Sequence, residues 1–225
     1  QVTRRFCHDV SDKEGIRSNS IYSLLVDDRG AVWVGHFQAG LDYSLYQNGL
    51  FRTYAYPPLF NSANLSIRSF VNRGQEKVIG SRDGLYYINE ATGVVKSFVK
   101  PVLTSDLILT ICFYKGEYYI GTYGGGMMVL NPETLSLNYF SRGDTELFQK
   151  GHIFCVRPDE KENLWIGTSQ GLFCYNGQTK QIKHFTSANS QLPEGNVYEV
   201  SFDSTGKGWI ATETGMCIYD PASQS

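Results

Sequence analysis

The 225-residue sequence has almost no charge imbalance: 20 Lys and Arg against 22 Asp and Glu, a net charge of −2. Nucleic-acid binding needs a basic footprint, so a general grip on DNA or RNA is excluded. An electrostatic membrane anchor is excluded on the same ground. No apolar run approaches the ~18 residues of a membrane-spanning helix. The start, Gln-Val-Thr-Arg-Arg-Phe-Cys, has neither an initiator Met nor an apolar signal core, which fits a mature or excised piece of something longer. Histidine is scarce, and His8, His36, His152 and His184 show no metal-site spacing. The cysteines, Cys7, Cys112, Cys155, Cys174 and Cys217, form no CxxC pair, and an odd number cannot all pair within one chain. All but Cys7 lie inside apolar runs and read as small core residues.

What is abundant is glycine, with 23 residues, and aromatics, with 15 Tyr and 13 Phe. Glycine punctuates turns and aromatics favour strands, so the composition predicts many short strands joined tightly.

The three tryptophans set a period. Trp33 and Trp165 are 132 apart, and Trp165 and Trp209 are 44 apart, three times less. Trp33-Val34-Gly35-His36, Trp165-Ile166-Gly167-Thr168 and Trp209-Ile210-Ala211-Thr212 are copies of one word, with weaker copies at Val78-Ile79-Gly80-Ser81 and Tyr119-Ile120-Gly121-Thr122. Each is followed by Gly and a large apolar residue: Gly40-Leu41, Gly84-Leu85, Gly126-Met127, Gly171-Leu172 and Gly215-Met216. An apolar stretch and a turn come before each word, as at Asp27-Asp28-Arg29-Gly30 and Asp203-Ser204-Thr205-Gly206, and in the first four copies a strand ending on an aromatic comes after. Four short antiparallel strands repeated every ~44 residues describe a β-propeller blade. The expected fold is all-β, a propeller of about five four-stranded blades, either a closed five-bladed ring or an arc of a larger one. The chain reads as one propeller region over 1–225, with repeats near 18–56, 64–100, 105–141, 151–186 and 195–220. The fifth repeat lacks a fourth strand. Residues 2–7 are the candidate for it, or for the fourth strand of a preceding blade. The tryptophans are expected to pack between blades.

The word Asp-x-x-Gly-x-(Leu/Val)-Trp-(Ile/Val)-Gly-Thr-x-x-Gly-Leu resembles the two-component regulator propeller repeat. It stands here as Asp27 to Gly35 and as Asn163 to Leu172, and Leu192-Pro193-Glu194-Gly195-Asn196-Val197 is similar to that family's entry to the first strand. The resemblance covers residues 18 to 220. The second and third copies lack the Trp, the second lacks the Asp turn, and His36 replaces the usual Thr. The resemblance implies the extracytoplasmic sensor portion of a hybrid two-component system of Bacteroidetes, in which propellers precede a membrane helix, a histidine kinase and a response regulator. It also implies periplasmic placement, an oligosaccharide ligand, a homodimer, and the rest of the sensor chain as partners. The repeat is a scaffold and does not itself specify the ligand.

No catalytic constellation, metal site or cofactor motif is present. Gly124-Gly125-Gly126 has no following helix or Lys and reads as a widened turn, not a phosphate loop. The fragment is therefore expected to lack enzymatic activity. Two alternatives stand beside the sensor: a protein-interaction or dimerisation scaffold, and a propeller lyase or hydrolase with a loop-built site, for which His36 and Glu213 occupy corresponding loops. Strand order places the loop between second and third strands on the same rim as the connection between blades. The candidate ligand residues there are His36, Gln38, Tyr56, Arg82, Tyr123, Gln170 and Glu213. Aromatic faces stack on sugar C–H surfaces while amides and charged groups bond hydroxyls.

Overall fold

The computed structural model describes residues 6–12, 14–27, 30–45, 51–53, 66–141 and 145–221. These form antiparallel sheets in which each strand pairs with the next. The chain divides into two compact units, Gln1–Val99 with Asp106–Ile108, and Lys100–Ser105 with Leu109–Ser225. Unit 1 holds two sheets. The first is β1 (Ile21–Val26), β2 (Ala31–His36), β3 (Leu41–Leu45) and β4 (Phe51–Thr53); the second is β5 (Ile67–Arg73), β6 (Glu76–Ser81), β7 (Gly84–Asn89) and β8 (Val94–Phe98). Unit 2 carries β9 (Ile108–Tyr114) from its second residue onward, β10 (Glu117–Thr122), β11 (Met127–Leu130) and β12 (Leu137–Tyr139). A short helix, α1 (Thr145–Lys150), follows. Next come β13 (Ile153–Pro158), β14 (Asn163–Thr168), β15 (Gly171–Asn176) and β16 (Ile182–Phe185), then β17 (Val197–Phe202), β18 (Gly208–Thr212) and β19 (Met216–Tyr219). The fold is an all-β propeller architecture; among the described residues it has five blades, the last of three strands.

The repeated residues do repeated jobs. Asp159 accepts a hydrogen bond from Asn163 N–H at 2.7 Å with one carboxylate oxygen, closing the first turn. Its other oxygen accepts the indole N–H of Trp165 at 2.9 Å. Asp27 does the same for Ala31 and Trp33, and Asp203 for Lys207 and Trp209. Asp and Trp six residues later are thus a clamp that ties the hairpin turn to the second strand. The Thr or Ser ending that strand staples the next loop. Thr122, Thr168, Thr212 and Ser81 donate to the carbonyls of Gly126, Gly171, Gly215 and Gly84.

One sheet cannot bury both of its faces, and stacking supplies the rest. In unit 1, Trp33 packs with Phe70, Ile79, Tyr86 and Ile88 of the next sheet. In unit 2, Tyr119 packs with Val156, Ile166, Phe173 and Tyr175, and Trp165 with Val197, Val200 and Ile210. Burying a large aromatic this way contributes on the order of 3 kcal/mol or more. Trp33 and Trp165 therefore sit between blades as expected, and Trp209, 41% exposed, does not.

Two other features depart from the sequence reading. The connection between β12 and β13 contains α1, whose Phe148 is wholly buried between Phe140 and Phe173. Of the proposed amino-terminal fourth strand, residues 2–5 lie outside the described residues. Phe6 and Cys7 are in no strand, and Phe6 packs edge-on against Phe51 of β4 in unit 1.

Candidate functional site

A rim is built by one repeated hydrogen bond. In four of the five sheets the residue after the second strand donates its N–H to the carbonyl of the residue just before the first strand of the same sheet. The pairs are Phe37 to Ser20 at 2.8 Å, Arg82 to Ser66 at 3.0 Å, Ser169 to His152 at 3.2 Å and Glu213 to Asn196 at 2.9 Å. The loop between second and third strands and the incoming connection therefore share an edge in these sheets.

The first strands add a second element. In β1, β5, β13 and β17 the pairing register shifts one residue into the strand, leaving Tyr22, Arg68, Phe154 and Tyr198 as extra residues. A bulge of this kind re-aims its side chain out of the ladder. In unit 2 the re-aimed side chains join a row. Tyr123 stacks on His152 at 4.0 Å between ring centroids, His152 meets Phe154 at 6.2 Å, and Phe154 meets Tyr198 edge-on at 5.0 Å. Tyr123 and Tyr198 at the two ends are about half exposed, 50% and 43%. Polar groups sit beside the Tyr198 end: Asn196 donates to Tyr198 Oη at 3.2 Å and to Glu213 Oε2 at 3.0 Å. A cleft of about 200 Å3 lies on the same edge, lined by Ser169, Gln170, Thr186, Ser187, Pro193 and Glu194 among others. In unit 1, Tyr22 lies 5.1 Å from the ring of Phe37 and has the Arg68 guanidinium 4.5 Å over its face. The Arg68 Nε is buried with no hydrogen-bond partner.

The expected residues divide accordingly. Unit 2 holds Tyr123 in the aromatic row, Glu213 bonded to Asn196, and Gln170 lining the cleft. Unit 1 holds Arg82, exposed, and Gln38, exposed in a left-handed conformation with its N–H on Ser66 Oγ. His36 is placed otherwise than expected. It is wholly buried, with Nε2 2.9 Å from Asp42 Oδ2. Standing where other repeats have Thr or Ser, its longer side chain reaches Asp42 of β3. Tyr56 lies outside the described residues. The sequence reading missed Tyr22, Arg68, His152, Phe154, Tyr198 and Asn196. Their signal is positional: Tyr22, Arg68, Phe154 and Tyr198 are each the second residue of a first strand.

Among the described residues, no group of three or more His, Cys, Asp or Glu is placed to hold a metal ion. The cysteines are free, and burial pushes the Cys155 thiol up to about 12, far from a reactive thiolate. Hydrogen bonds from the Thr205 and Trp209 side chains hold the Asp203 carboxyl well below the ordinary range, which makes it a turn anchor. Among the described residues no helix is long and apolar enough to cross a membrane.

The fold and rim define a repeat-built β-propeller whose loops present aromatic and polar side chains. Residues 15–38 match the two component regulator propeller family model, so the chain carries that repeat. Among solved structures it is similar to the extracellular domain of a hybrid two component system from B. thetaiotaomicron, with 25% identity and a TM-score of 0.72 over 96% of this chain and 29% of that one. A second B. thetaiotaomicron hybrid two component system extracellular domain matches at 18% identity and a TM-score of 0.62, over 89% of this chain and 32% of the other. PorZ, a surface component of the type-IX secretion system of Porphyromonas gingivalis, shares the fold at 16% identity and a TM-score of 0.68, over 87% and 31%. The chain thus spans about a third of the length of these relatives. No curated protein matches it.

Proposed function

We propose that this chain is a ligand-sensing propeller segment of a larger two-component sensor, placed outside the cytoplasm, and that it binds an oligosaccharide on its rim. The observation that carries the reading is the aromatic row Tyr123, His152, Phe154 and Tyr198 with Asn196 and Glu213 beside it. Stacked rings flanked by an amide and a carboxylate suit the alternation of C–H faces and hydroxyls along a sugar chain. Likeness to extracellular domains of B. thetaiotaomicron two component systems supports the sensor role and the periplasmic setting. Such a segment passes a binding signal to the rest of its sensor chain and performs no chemistry itself.

The test is a thermal-shift screen against plant and host oligosaccharides, followed by calorimetry. A ligand at 100 times its Kd stabilises the fold by roughly 2.7 kcal/mol. Selective stabilisation that is lost in Tyr198→Ala supports the reading. A panel without any stabilising sugar, with the chain folded, rejects it.

A further inference from the structure

Among the described residues the buried or half-buried cationic side chains are Arg68, Lys77, Arg157 and Lys207. Lys77 meets the Glu90 carboxylate at 2.6 Å, Arg157 meets Glu199 at 2.8 Å and Lys207 meets Asp220 at 3.1 Å. Arg68 has no ion pair among the described residues. Its guanidinium instead lies 4.5 Å over the ring of Tyr22, which has Phe37 5.1 Å away. A ring face attracts the charge but offers no oxygen to the N–H groups. The buried Nε has no hydrogen-bond partner. Taking a charged group out of water is costly unless it is paired, so Arg68 is a cation still short of an anion.

The position itself calls for no charge. Arg68 is the extra residue of the β5 bulge, and at the matching bulges stand Tyr22, Phe154 and Tyr198. An aromatic residue thus suits the scaffold there. The surroundings are polar and incompletely bonded. Ser23, next to Tyr22, has a buried hydroxyl without a hydrogen-bond partner. A side chain on Gly35 would meet both that hydroxyl and the carbonyl of Ile67, the residue before Arg68, so the unspent groups share the seam of β1 and β5. Arg82 brings a second positive charge to the same edge. It is exposed, and its N–H is held by the Ser66 carbonyl, two residues before Arg68. Asp83 follows it and forms no ion pair with either arginine.

We propose that Arg68 is the oxyanion-binding residue of the unit 1 rim, and that the saccharide bound there is acidic, carrying a carboxylate or a sulfate ester. The inference deepens the reading of this chain as an oligosaccharide sensor and rests on it. The terminal N–H groups of a guanidinium form a fork that matches two oxygens of one oxyanion. Such bonds gain strength where water is partly excluded, as it is around half-buried Arg68. Tyr22 is the positioning residue, since its ring carries the guanidinium. Arg82 adds attraction at longer range. The hydroxyls of a neutral sugar leave the charge uncompensated, so acidity is the feature selected.

The test is calorimetry on the chain, Arg68→Gln and Arg68→Lys with trigalacturonate and with a carrageenan tetrasaccharide, which carries sulfate but no carboxylate. Each is paired with its neutral form, carboxyl-reduced or desulfated. The expected result is that an acidic probe binds at least about tenfold more tightly than its neutral form. Which probe does so tells carboxylate from sulfate. The preference is abolished in Arg68→Gln, partly kept in Arg68→Lys, which retains the charge without the fork, and shrinks as salt rises. In the natural chain the Arg68 Nε–H signal, followed by nitrogen-15 NMR and assigned by its loss in either variant, moves as the probe saturates. No binding of either acidic probe, equal binding of acidic and neutral forms, a preference that survives in Arg68→Gln, or an Arg68 signal that stays still at saturation overturns the proposal. Neutral sugars that bind and are lost in Tyr198→Ala, without any acidic preference, fail this proposal and leave the sensor reading standing. An acidic probe that needs Arg68 but ignores Tyr198→Ala fails the aromatic row alone.

Discussion

Trp165 donates its indole N–H to Asp159 at 2.9 Å while its ring is buried against the next blade. The carboxylate also receives the backbone and side-chain N–H groups of Asn163. Asp159→Ala therefore strips a turn of its acceptor and leaves a buried indole N–H without one. An unsatisfied buried donor costs about 1–3 kcal/mol. At roughly 2–4 °C per kcal/mol, the melting temperature falls by several degrees. Asp203→Ala removes the same pair where Trp209 is open to water, so its effect on melting is smaller. Equal losses in the two variants would show that the turn, and not the clamped indole, sets the cost.

Gly167 follows the Trp-Ile pair at the point where two blades meet. A methyl group there comes within 2.6 Å of Cys155 Sγ and 2.7 Å of the Val197 carbonyl oxygen on the next blade's first strand. Backbone cannot yield as a flexible side chain does, so Gly167→Ala is expected to cost about 1–3 kcal/mol by overpacking. Gly116 is a contrasting control. It sits in an open hairpin turn at φ 87° with nothing near a methyl group. Alanine there pays only the left-handed penalty of roughly 1–2 kcal/mol. Amide exchange separates the two: Gly167→Ala loosens both β13 and β17, and Gly116→Ala loosens the β9–β10 hairpin alone.

The blades were legible because most copies use the same residue for the same task. Asp, Trp, Gly and Thr recur at fixed spacing since the clamp, the close approach and the loop staple recur. Where one residue type changes task, the reading fails. His36 occupies a Thr position but bonds Asp42 inside the sheet, so a rim role inferred from its place was misdirected. Tyr22, Arg68, Phe154 and Tyr198 were missed because strand periodicity assigns alternate residues to alternate faces, and a bulge breaks that count. The helix α1 is too short for a 3.6-residue pattern to show, yet it supplies Phe148 to the core.

Alkaline pH acts on the second unit through its thiols. Burial raises Cys155 to about 12 and Cys112 to about 11, from an ordinary value near 9. The folded chain keeps these protons where the unfolded chain has lost them. Their stabilising effect is complete below pH 9 and is lost as pH rises towards 11 and 12. Each such group steepens the loss by up to about 1.4 kcal/mol per pH unit. Melting curves from pH 8 to 11 should fall steeply in the natural chain and less so in Cys155→Ala, whose lower starting stability does not affect the slope. An unchanged slope would show that Cys155 ionises freely in the folded state. Iodoacetamide at pH 8 provides a second check, because Cys155 should react only when the blade opens.

The two ends of the aromatic row differ in what supports them, and that difference predicts how ligand binding responds. Tyr123 lies in a loop and is backed by His152, whose ring is 4.0 Å away, while Tyr198 rises from a strand bulge with its hydroxyl bonded by Asn196. Stacking on an exposed ring is worth on the order of 1 kcal/mol, so Tyr123→Ala weakens sugar binding about fivefold to tenfold. Tyr198→Ala removes a ring and also frees Asn196 and Glu213 to reorient, and its loss is larger. Tyr198→Phe separates the two contributions. It keeps the ring against Phe154 and deletes only the acceptor for Asn196, so it should retain most of the affinity if stacking dominates. A Phe variant as weak as the Ala variant would move the recognition from the ring face to the polar cluster of Asn196 and Glu213.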